Sequence, residues 1–497
     1  LTEPIKKGMI TDMKTITIYL IALFCLCLKT FSFNYAIWHW HLNYHFDPDS
    51  LKTLAEIPIS DLYYHAGNFA FIRQKPDFET TAKRQNFIAD FSSLQQFKSI
   101  HLCYTFGNSP ASPFVTEFLN KDAKKGISYI TERLQEDFLF YQTLNNKVQG
   151  IQIDLEGGNI NFTVYQELLT EIKKVIPQAL ISITPMSSWI KRPEFRKLAK
   201  KADFIVPMLY DFHRGKRAED DLKVTDYNWL KKMVAAWDEL EKPIVYGLPT
   251  YSYSILYDHT GQMRVPWAVY NPETITENRR FELQHFDFNR SGFGKESRMT
   301  RDRVLSYMAM ERFSFSNQNF EKGSIFKYNF ISAQALNEYI EAIKSSNAKY
   351  GHGVAFFRYG RPTEALVLSA ERLKLAVTGN FHAPLSIKLE RINTESQQFF
   401  LSFTNEGSPS YFGKTGFTVE MPKSCITGHT TDFDHLNCPA KDNKNCLLEE
   451  EYFNRGETLI SPLLNMKCLE MHLKFVLKNG TVAERTVTTT NFPSVLK

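Results

Sequence analysis

Asp154 and Glu156 stand two residues apart in the run Gln149-Gly-Ile-Gln-Ile-Asp-Leu-Glu156, a spacing that allows acid–base chemistry if the run is a strand. Alternate side chains of a strand share a face, so Gln152, Asp154 and Glu156 point one way and Ile151, Ile153 and Leu155 the other. The two carboxyls would lie roughly 6–7 Å apart by strand rise. Like charges so placed repel, and one group tends to hold a proton near neutral pH. A protonated Glu beside an ionised Asp is the acid that glycoside cleavage needs. Gly157 and Gly158 end the strand and leave Glu156 on a rim. The same spacing also fits an acidic pair that only hydrogen-bonds across a barrel.

Such a strand needs helices over its apolar face, and the chain supplies them. From Asn34 to about residue 380, short apolar runs alternate with segments of helical period, the signature of a parallel α/β domain. The strands read as Asn34–Trp40, Leu62–Phe71, Ser99–Thr105, Val148–Leu155, Ala179–Thr184, Phe204–Leu209, Pro243–Leu248 and Gly353–Phe357. Eight strands predict a closed (β/α)₈ TIM barrel over residues 34–380, with functional groups at the C-terminal strand ends. The helix after the fourth strand shows the pattern: Val164, Leu168, Leu169, Ile172, Val175 and Ile176 make one stripe, with Glu167, Glu171, Lys173 and Lys174 between them. A second such helix spans Ser332–Ser345.

The stretch 252–330 is too long for an ordinary loop and carries Trp267, Tyr270, Phe286, Phe288 and Phe313. It reads as an insertion, either a lid or cleft wall or a peripheral subdomain. Beyond residue 380 the helical period gives way to short β-type runs such as Phe399–Thr404 and Thr481–Thr488. These predict a C-terminal all-β, sandwich-like domain over 381–497.

Other strand ends add to the acidic pair. The sixth reads Met208-Leu-Tyr-Asp211, the seventh Gly247-Leu-Pro-Thr-Tyr251 and the eighth Gly353-Val-Ala-Phe-Phe-Arg358. Taken with the fourth, they resemble the family 18 glycoside hydrolases, the chitinases and endo-β-N-acetylglucosaminidases. That family carries Asp-Gly-x-Asp-x-Asp-x-Glu, Met-x-Tyr-Asp, Gly-x-Pro-x-Tyr and Gly-Val-Met-x-Trp on the same strands in the same order. The resemblance spans about residues 34–375. The layout from Tyr35-Ala-Ile-Trp38 to Arg358 is also similar to a bacterial family of exported barrel proteins of unknown function.

The resemblance implies that Glu156 is the general acid/base, that Asp154 orients the substrate's acetamido group, and that Tyr210 hydrogen-bonds the same group. Met208 and Asp211 would line that subsite, and Tyr251 would wall it. The substrate's own carbonyl oxygen would attack the anomeric carbon, with retention through an oxazolinium intermediate and no protein nucleophile. Two departures stand out. Gln149 and Gln152 replace the first two acids of the fourth-strand motif, so Gln152 can hydrogen-bond Asp154 but cannot share its charge. Phe357 stands where the family has a Trp floor, with less surface and no indole donor.

Trp38, Trp40 and Trp189 also fall at strand ends, where each is either a sugar-stacking ring or a core residue. His39, Trp40 and His41 cannot all face inward. Arg358 would face a carboxylate, from an acidic substrate, from Asp154, Glu156 or Asp211, or in a plain structural salt bridge. Near the end of the sixth strand, His213 has no second His or Cys close by, so no metal ligand cluster is indicated. There is no Gly-x-Ser-x-Gly elbow, phosphate loop or His-Glu-x-x-His helix, so no cofactor is expected.

At 497 residues, 43% hydrophobic and 14% aromatic, the chain can bury a large core. Its formal charge of +5 is small for that length, with no dense basic cluster to call for nucleic acid. Met13 to Leu28 is one Lys followed by an apolar run, and Thr30-Phe-Ser32 offers a cleavage site. Residues 1–33 therefore read as a leader and secretory signal peptide, with an uncleaved anchor as the alternative. Export would place the protein outside the cell, in a periplasm or at a cell envelope. Cys425, Cys438, Cys446 and Cys468 suggest two disulfides in any of three pairings.

Three functions fit these readings: an exported hydrolase of β-linked N-acetylhexosamine glycans, a carbohydrate-binding barrel without efficient turnover, and an envelope scaffold.

Overall fold

The computed structural model describes residues 33–488, leaving out 266–274, 289–302, 380–384, 392–397, 406–416, 439–444, 451–457 and several shorter stretches. The leader, Trp267 and Tyr270 lie outside the described residues.

Eight parallel strands close on themselves. They are β1 (Asn34–His39), β2 (Ile59–Ile72), β4 (Ser99–Thr105), β5 (Val148–Asp154), β6 (Leu180–Ile183), β7 (Phe204–Ile205), β8 (Ile244–Pro249) and β16 (Gly351–Phe357). Their order is β1-β16-β8-β7-β6-β5-β4-β2, and β1 pairs again with β2. Around them run the helices α1 (Pro48–Ala55), α2 (Phe87–Ser92), α3 (Ala123–Leu144), α4 (Phe162–Val175), α5 (Pro193–Ala199), α6 (Tyr227–Asp238), α7 (Ala333–Lys344) and α8 (Ala370–Thr378). The expected α/β TIM barrel is the observed fold.

Helix α4 shows why these segments are helical. Asn161 caps it, its Oδ1 accepting from the backbone N–H of Thr163 at 3.1 Å and of Val164 at 3.3 Å. Val164, Leu168, Leu169 and Ile172 are buried on its inner face. The barrel's inside is also filled: Ala36, Trp38, Tyr63, Val206, Val245 and Ala355 pack into one cluster. Anything at the strand ends therefore sits on a solid floor.

Two local features were not legible in the sequence. Strand β7 is only two residues long, because Pro207 has no N–H for the ladder; pairing resumes through single bridges from Met208 to Met186 and Gly247. Strand β2 runs for 14 residues and folds back as β3 (Lys75–Thr80), which pairs antiparallel with it. The two residues between, Arg73 and Gln74, both have positive φ, the geometry of a tight type I′ hairpin, although neither residue type advertises it.

The insertion forms a five-stranded antiparallel sheet of β9 (Tyr253–Tyr257), β10 (Met263–Val265), β11 (Phe281–Phe288), β12 (Arg303–Ala309) and β15 (Ile325–Phe330), plus a hairpin of β13 (Phe313–Phe315) and β14 (Gln318–Phe320). This sheet grips the loop that follows β7. Asn329 Oδ1 accepts from the Val224 N–H at 2.9 Å, Lys327 Nζ donates to the Ala218 carbonyl at 3.0 Å, and Tyr257 donates to the Gly215 carbonyl at 3.2 Å.

The C-terminal region holds two antiparallel sheets. One contains β17 (Leu385–Arg391), β18 (Gln398–Asn405), β22 (Thr458–Ile460) and β23 (Leu464–Asn465). The other contains β19 (Phe417–Pro422), β20 (His435–Asn437), β21 (Asn445–Glu450), β24 (Glu470–Leu477) and β25 (Val482–Thr488). Cys438 and Cys446 form a disulfide, Cys425 is also disulfide-bonded, and Cys103 is a buried free thiol in the barrel.

Candidate active site

Asp154 is the last residue of β5 and is 4% exposed, whereas Glu156, two residues on, opens to solvent at the mouth. Thr184, at the end of β6, donates its hydroxyl hydrogen bond to Asp154 Oδ1. Burial raises the Asp154 carboxyl to about 6, against the lowering effect of the Thr184 hydroxyl and of Glu156. Glu156 is raised well above the ordinary glutamate value. The causes are the crowding of protein around its carboxyl, the Asp154 charge and a hydrogen bond with Asp154, then the Asp211 charge, with Arg214 opposing. Both carboxyls are thus pushed toward their neutral forms.

Tyr210 joins this pair. Its ring is 9% exposed and lies parallel to Phe357, with centroids 5.2 Å apart and planes 20° apart. Burial and then the charges of Glu156 and Asp154 push its hydroxyl well up, so it stays a neutral donor beside them. Gly247 makes room here: a Cβ on it would meet the Pro207 carbonyl at 3.0 Å and the Trp38 and Tyr210 rings at 3.4 Å.

Asp211 adopts the left-handed region at φ 56 and is held on three sides. Tyr251 and Tyr253 both donate to its Oδ1, the latter at 2.7 Å, and Arg214 donates to Oδ2. Tyr251 stands edge-on to Tyr210 and Phe357, with centroids 5.9 Å away in each case. Met208 is 8% exposed, and its backbone bridges Met186, beyond the end of β6, and Gly247 of β8.

Four candidate residues are engaged away from the acidic pair, Trp38 and Trp189 in the core and Arg358 in the salt bridge that were among their readings. Gln152 does not hydrogen-bond Asp154. It is fully buried, accepts from Trp38 Nε1 at 2.5 Å and donates to Ser182 Oγ at 3.3 Å. Trp38 is 1% exposed in the barrel interior and offers no face to a ligand. Trp189 is 2% exposed, edge-on to Phe162 at 5.1 Å, and is a core residue. Arg358 reaches neither Asp154, Glu156 nor Asp211: both its terminal nitrogens donate at 2.9 Å to Glu364 in a bidentate pair. The half-buried rings at the mouth are Phe357 and Trp40, which stand edge-on at 5.1 Å. Trp40 stacks on His65 at 4.6 Å, and the Trp40 carbonyl lies 2.8 Å from His65 Nδ1.

Thr184, Ser182, Tyr253, Arg214 and Glu364 are the supporting residues that sequence reasoning did not single out. Ser182 and Thr184 could have been found, because they alternate with Ile181 and Ile183 and so share the inward face beside Gln152. Glu364 lies in a loop and carries no such signal. Among the described residues, no group of three or more His, Cys, Asp and Glu side chains is placed to hold a metal ion.

Residues 117–286 match a family model described as a domain of unknown function, DUF3142. That segment carries Gln152, Asp154, Glu156, Tyr210, Asp211 and Tyr251. No curated protein matches the chain. The barrel is similar to chitinase-like solved structures. A chitinase from Chromobacterium violaceum is 12% identical, with 71% of this chain and all of that one aligned at a TM-score of 0.46. The spore cortex-lytic enzyme SleL of Bacillus cereus is 13% identical over 71% of this chain and 75% of its own, also at 0.46. Chitinase ChiA74 from Bacillus thuringiensis is 12% identical over 92% of this chain and 85% of its own, at 0.45.

Proposed function

We propose that this protein is an exported glycoside hydrolase acting on β-linked N-acetylhexosamine glycans by a retaining, substrate-assisted mechanism. The observation that carries the reading is the pairing of Asp154 and Glu156 at the C-terminal end of β5, with Thr184 donating to Asp154 and the Tyr210 ring stacked on Phe357 beside them. Glu156, open to the mouth, protonates the leaving oxygen. Asp154, ionised and anchored by Thr184, orients the acetamido N–H so that the acetamido carbonyl oxygen attacks the anomeric carbon. Tyr210 donates to that carbonyl, and Phe357 forms the floor under the ring. Glu156 then takes a proton from the water that opens the oxazolinium, with net retention. Met208, Asp211 and Tyr251 wall the same subsite.

The test is turnover of reporter N-acetylglucosaminides and polymeric glycans by wild type and Glu156→Gln. Loss of a general acid of this kind should cost about 10²–10⁴-fold in kcat. Equal cleavage of glycosides lacking the 2-acetamido group would remove the substrate-assisted step while leaving hydrolysis in place.

The locking of Gln152 to Trp38 and Ser182 favours a second reading, a carbohydrate-binding barrel without efficient turnover. With that amide committed elsewhere, Thr184 is the hydrogen-bonding side chain seen on Asp154 besides Glu156, and Gln152 brings no charge to it. Binding of glycans with no hydrolysis by either protein would select it. Export to the cell surface or envelope rests on the Met13–Leu28 segment, and detection of the mature chain outside the cytoplasm checks it.

A further inference from the structure

Arg214 stands at the mouth beside the acidic pair, and the chemistry derived above gives it no part. It donates to Asp211 Oδ2, three residues earlier, and lies against the hydroxyl of Tyr253, which itself donates to Asp211 Oδ1 at 2.7 Å. The backbone on either side of it is fixed. The His213 N–H donates to the Lys223 carbonyl at 3.0 Å, and the Lys223 N–H donates back at 2.9 Å. Gly215 sits at φ 63, where a Cβ would meet the Asp221 carbonyl and the Tyr257 hydroxyl at 3.0 Å, and its carbonyl accepts from that hydroxyl at 3.2 Å. Tyr253 and Tyr257 both belong to β9, the first strand of the insertion.

Folding stability does not account for this bracing. Side-chain exposures are 46% for Arg214 and 29% for Asp211, and an ion pair this open is weakened by solvent and adds little to stability. What the bracing does is hold a charge at a fixed place, and that place is next to Glu156. Burial first, then the Asp154 charge and hydrogen bond and the Asp211 charge, keep the proton on Glu156, and the Arg214 charge opposes them. Cys103 on β4, Tyr165 on α4 and Tyr210 beyond β7 also face the acidic pair, and burial keeps all three neutral. Two carboxylates are thus set against one guanidinium. A group that gives a proton to the leaving oxygen and then takes one from water must hold it neither too tightly nor too loosely. Asp154 and Asp211 unopposed would hold it too tightly.

We propose that Arg214 is a positioning residue for Glu156: held by Asp211 and by Tyr253 of the insertion, its guanidinium offsets the Asp211 charge, so that Glu156 serves as acid in one step and as base in the next. This rests on the hydrolase reading of the same site and adds a residue to it. Arg214 acts through Glu156 and needs no contact with the sugar. The insertion reaches the chemistry by the same route, because Tyr253 helps to aim the guanidinium.

The experiment uses the full-length protein and reads Glu156 without requiring turnover. A water-soluble carbodiimide with an amine couples to carboxyls in their protonated form. Digestion and peptide fragmentation then compare the label on Glu156 with that on Glu167, an exposed residue of α4, across a pH series. In Arg214→Gln the pH at which Glu156 labelling is half lost, relative to Glu167, should rise by on the order of one unit. In Arg214→Lys, which keeps the charge, it should stay near wild type, and in Asp211→Asn it should fall. Because Glu156 enters the reaction protonated, the alkaline limb of kcat on a reporter N-acetylglucosaminide should move in the same direction in each variant. A labelling midpoint unmoved in Arg214→Gln overturns the proposal, whatever becomes of kcat. So does an Arg214→Lys midpoint displaced as far as that of Arg214→Gln. Shifted midpoints in a protein that cleaves no glycan remove the hydrolase reading and leave the coupling of Arg214 to Glu156 in place.

Discussion

At the scale of single residues, the site is held together by mismatched preferences of neighbouring groups. Asp154 is buried where its charged form is penalised, and its folded value of about 6 lies above the ordinary aspartate value of 3.8. A carboxyl raised in the folded state adds stability while it is protonated in both states. That stability is lost as pH rises through the window from 3.8 to about 6. Asp154→Asn removes the titration and keeps an oxygen for the Thr184 hydroxyl. It should therefore be more stable than wild type by on the order of 2 kcal/mol at pH 8, with no such gain at pH 3. Urea unfolding at the two pH values measures this. A variant no more stable at pH 8 would show that Asp154 is not strained by its charge. The same substitution should abolish most turnover, because an amide cannot balance the cationic oxazolinium.

At the scale of elements, β5 is fixed from both sides by hydrogen bonds between strands. Gln152 spans from Trp38 on β1 to Ser182 on β6 across the barrel interior. Trp38→Phe removes one donor and leaves the buried Gln152 oxygen unpaired, at a cost of about 1–3 kcal/mol. Chemical denaturation reads that loss. Ligand affinity reads whether the site loosens with it. The strands and their order were legible because each alternates or runs apolar within a few residues of a turn, as β4 does over Ser99–Thr105. Asp154 was legible because strand alternation sets it on one face with Gln152, whereas Tyr210, beyond the two-residue β7, was named only through the resemblance. What Gln152 and Arg358 touch was not. Gln152 lies between three strands, and the choice of Trp38 and Ser182 over Asp154 depends on the register of β5 with β6 and on Trp38 crossing the interior. Arg358 found Glu364, six residues on, through a loop whose path no periodicity describes.

At the scale of the whole molecule, the barrel carries the candidate chemistry and the two antiparallel regions brace or extend it. The C-terminal region is closed locally by Cys438–Cys446, a loop with a sequence separation of 8. Cys446→Ser should cost about 2 kcal/mol, within a range of about 0–5, by freeing the unfolded chain. The loss should appear in limited proteolysis beyond residue 385 and not in glycan turnover by the barrel. Any drop in turnover would mean that the two regions are coupled.

The insertion has a different standing from an ordinary appendage. Its first strand, β9, begins at Tyr253, whose hydroxyl holds Asp211, and its strand β15 supplies Asn329 and Lys327 to the loop beyond Asp211. One wall of the site therefore rests on this sheet. Removing the sheet would take the Tyr253 hydroxyl from Asp211, leaving Tyr251 and Arg214 on it, and would free the loop between Gly215 and Val224.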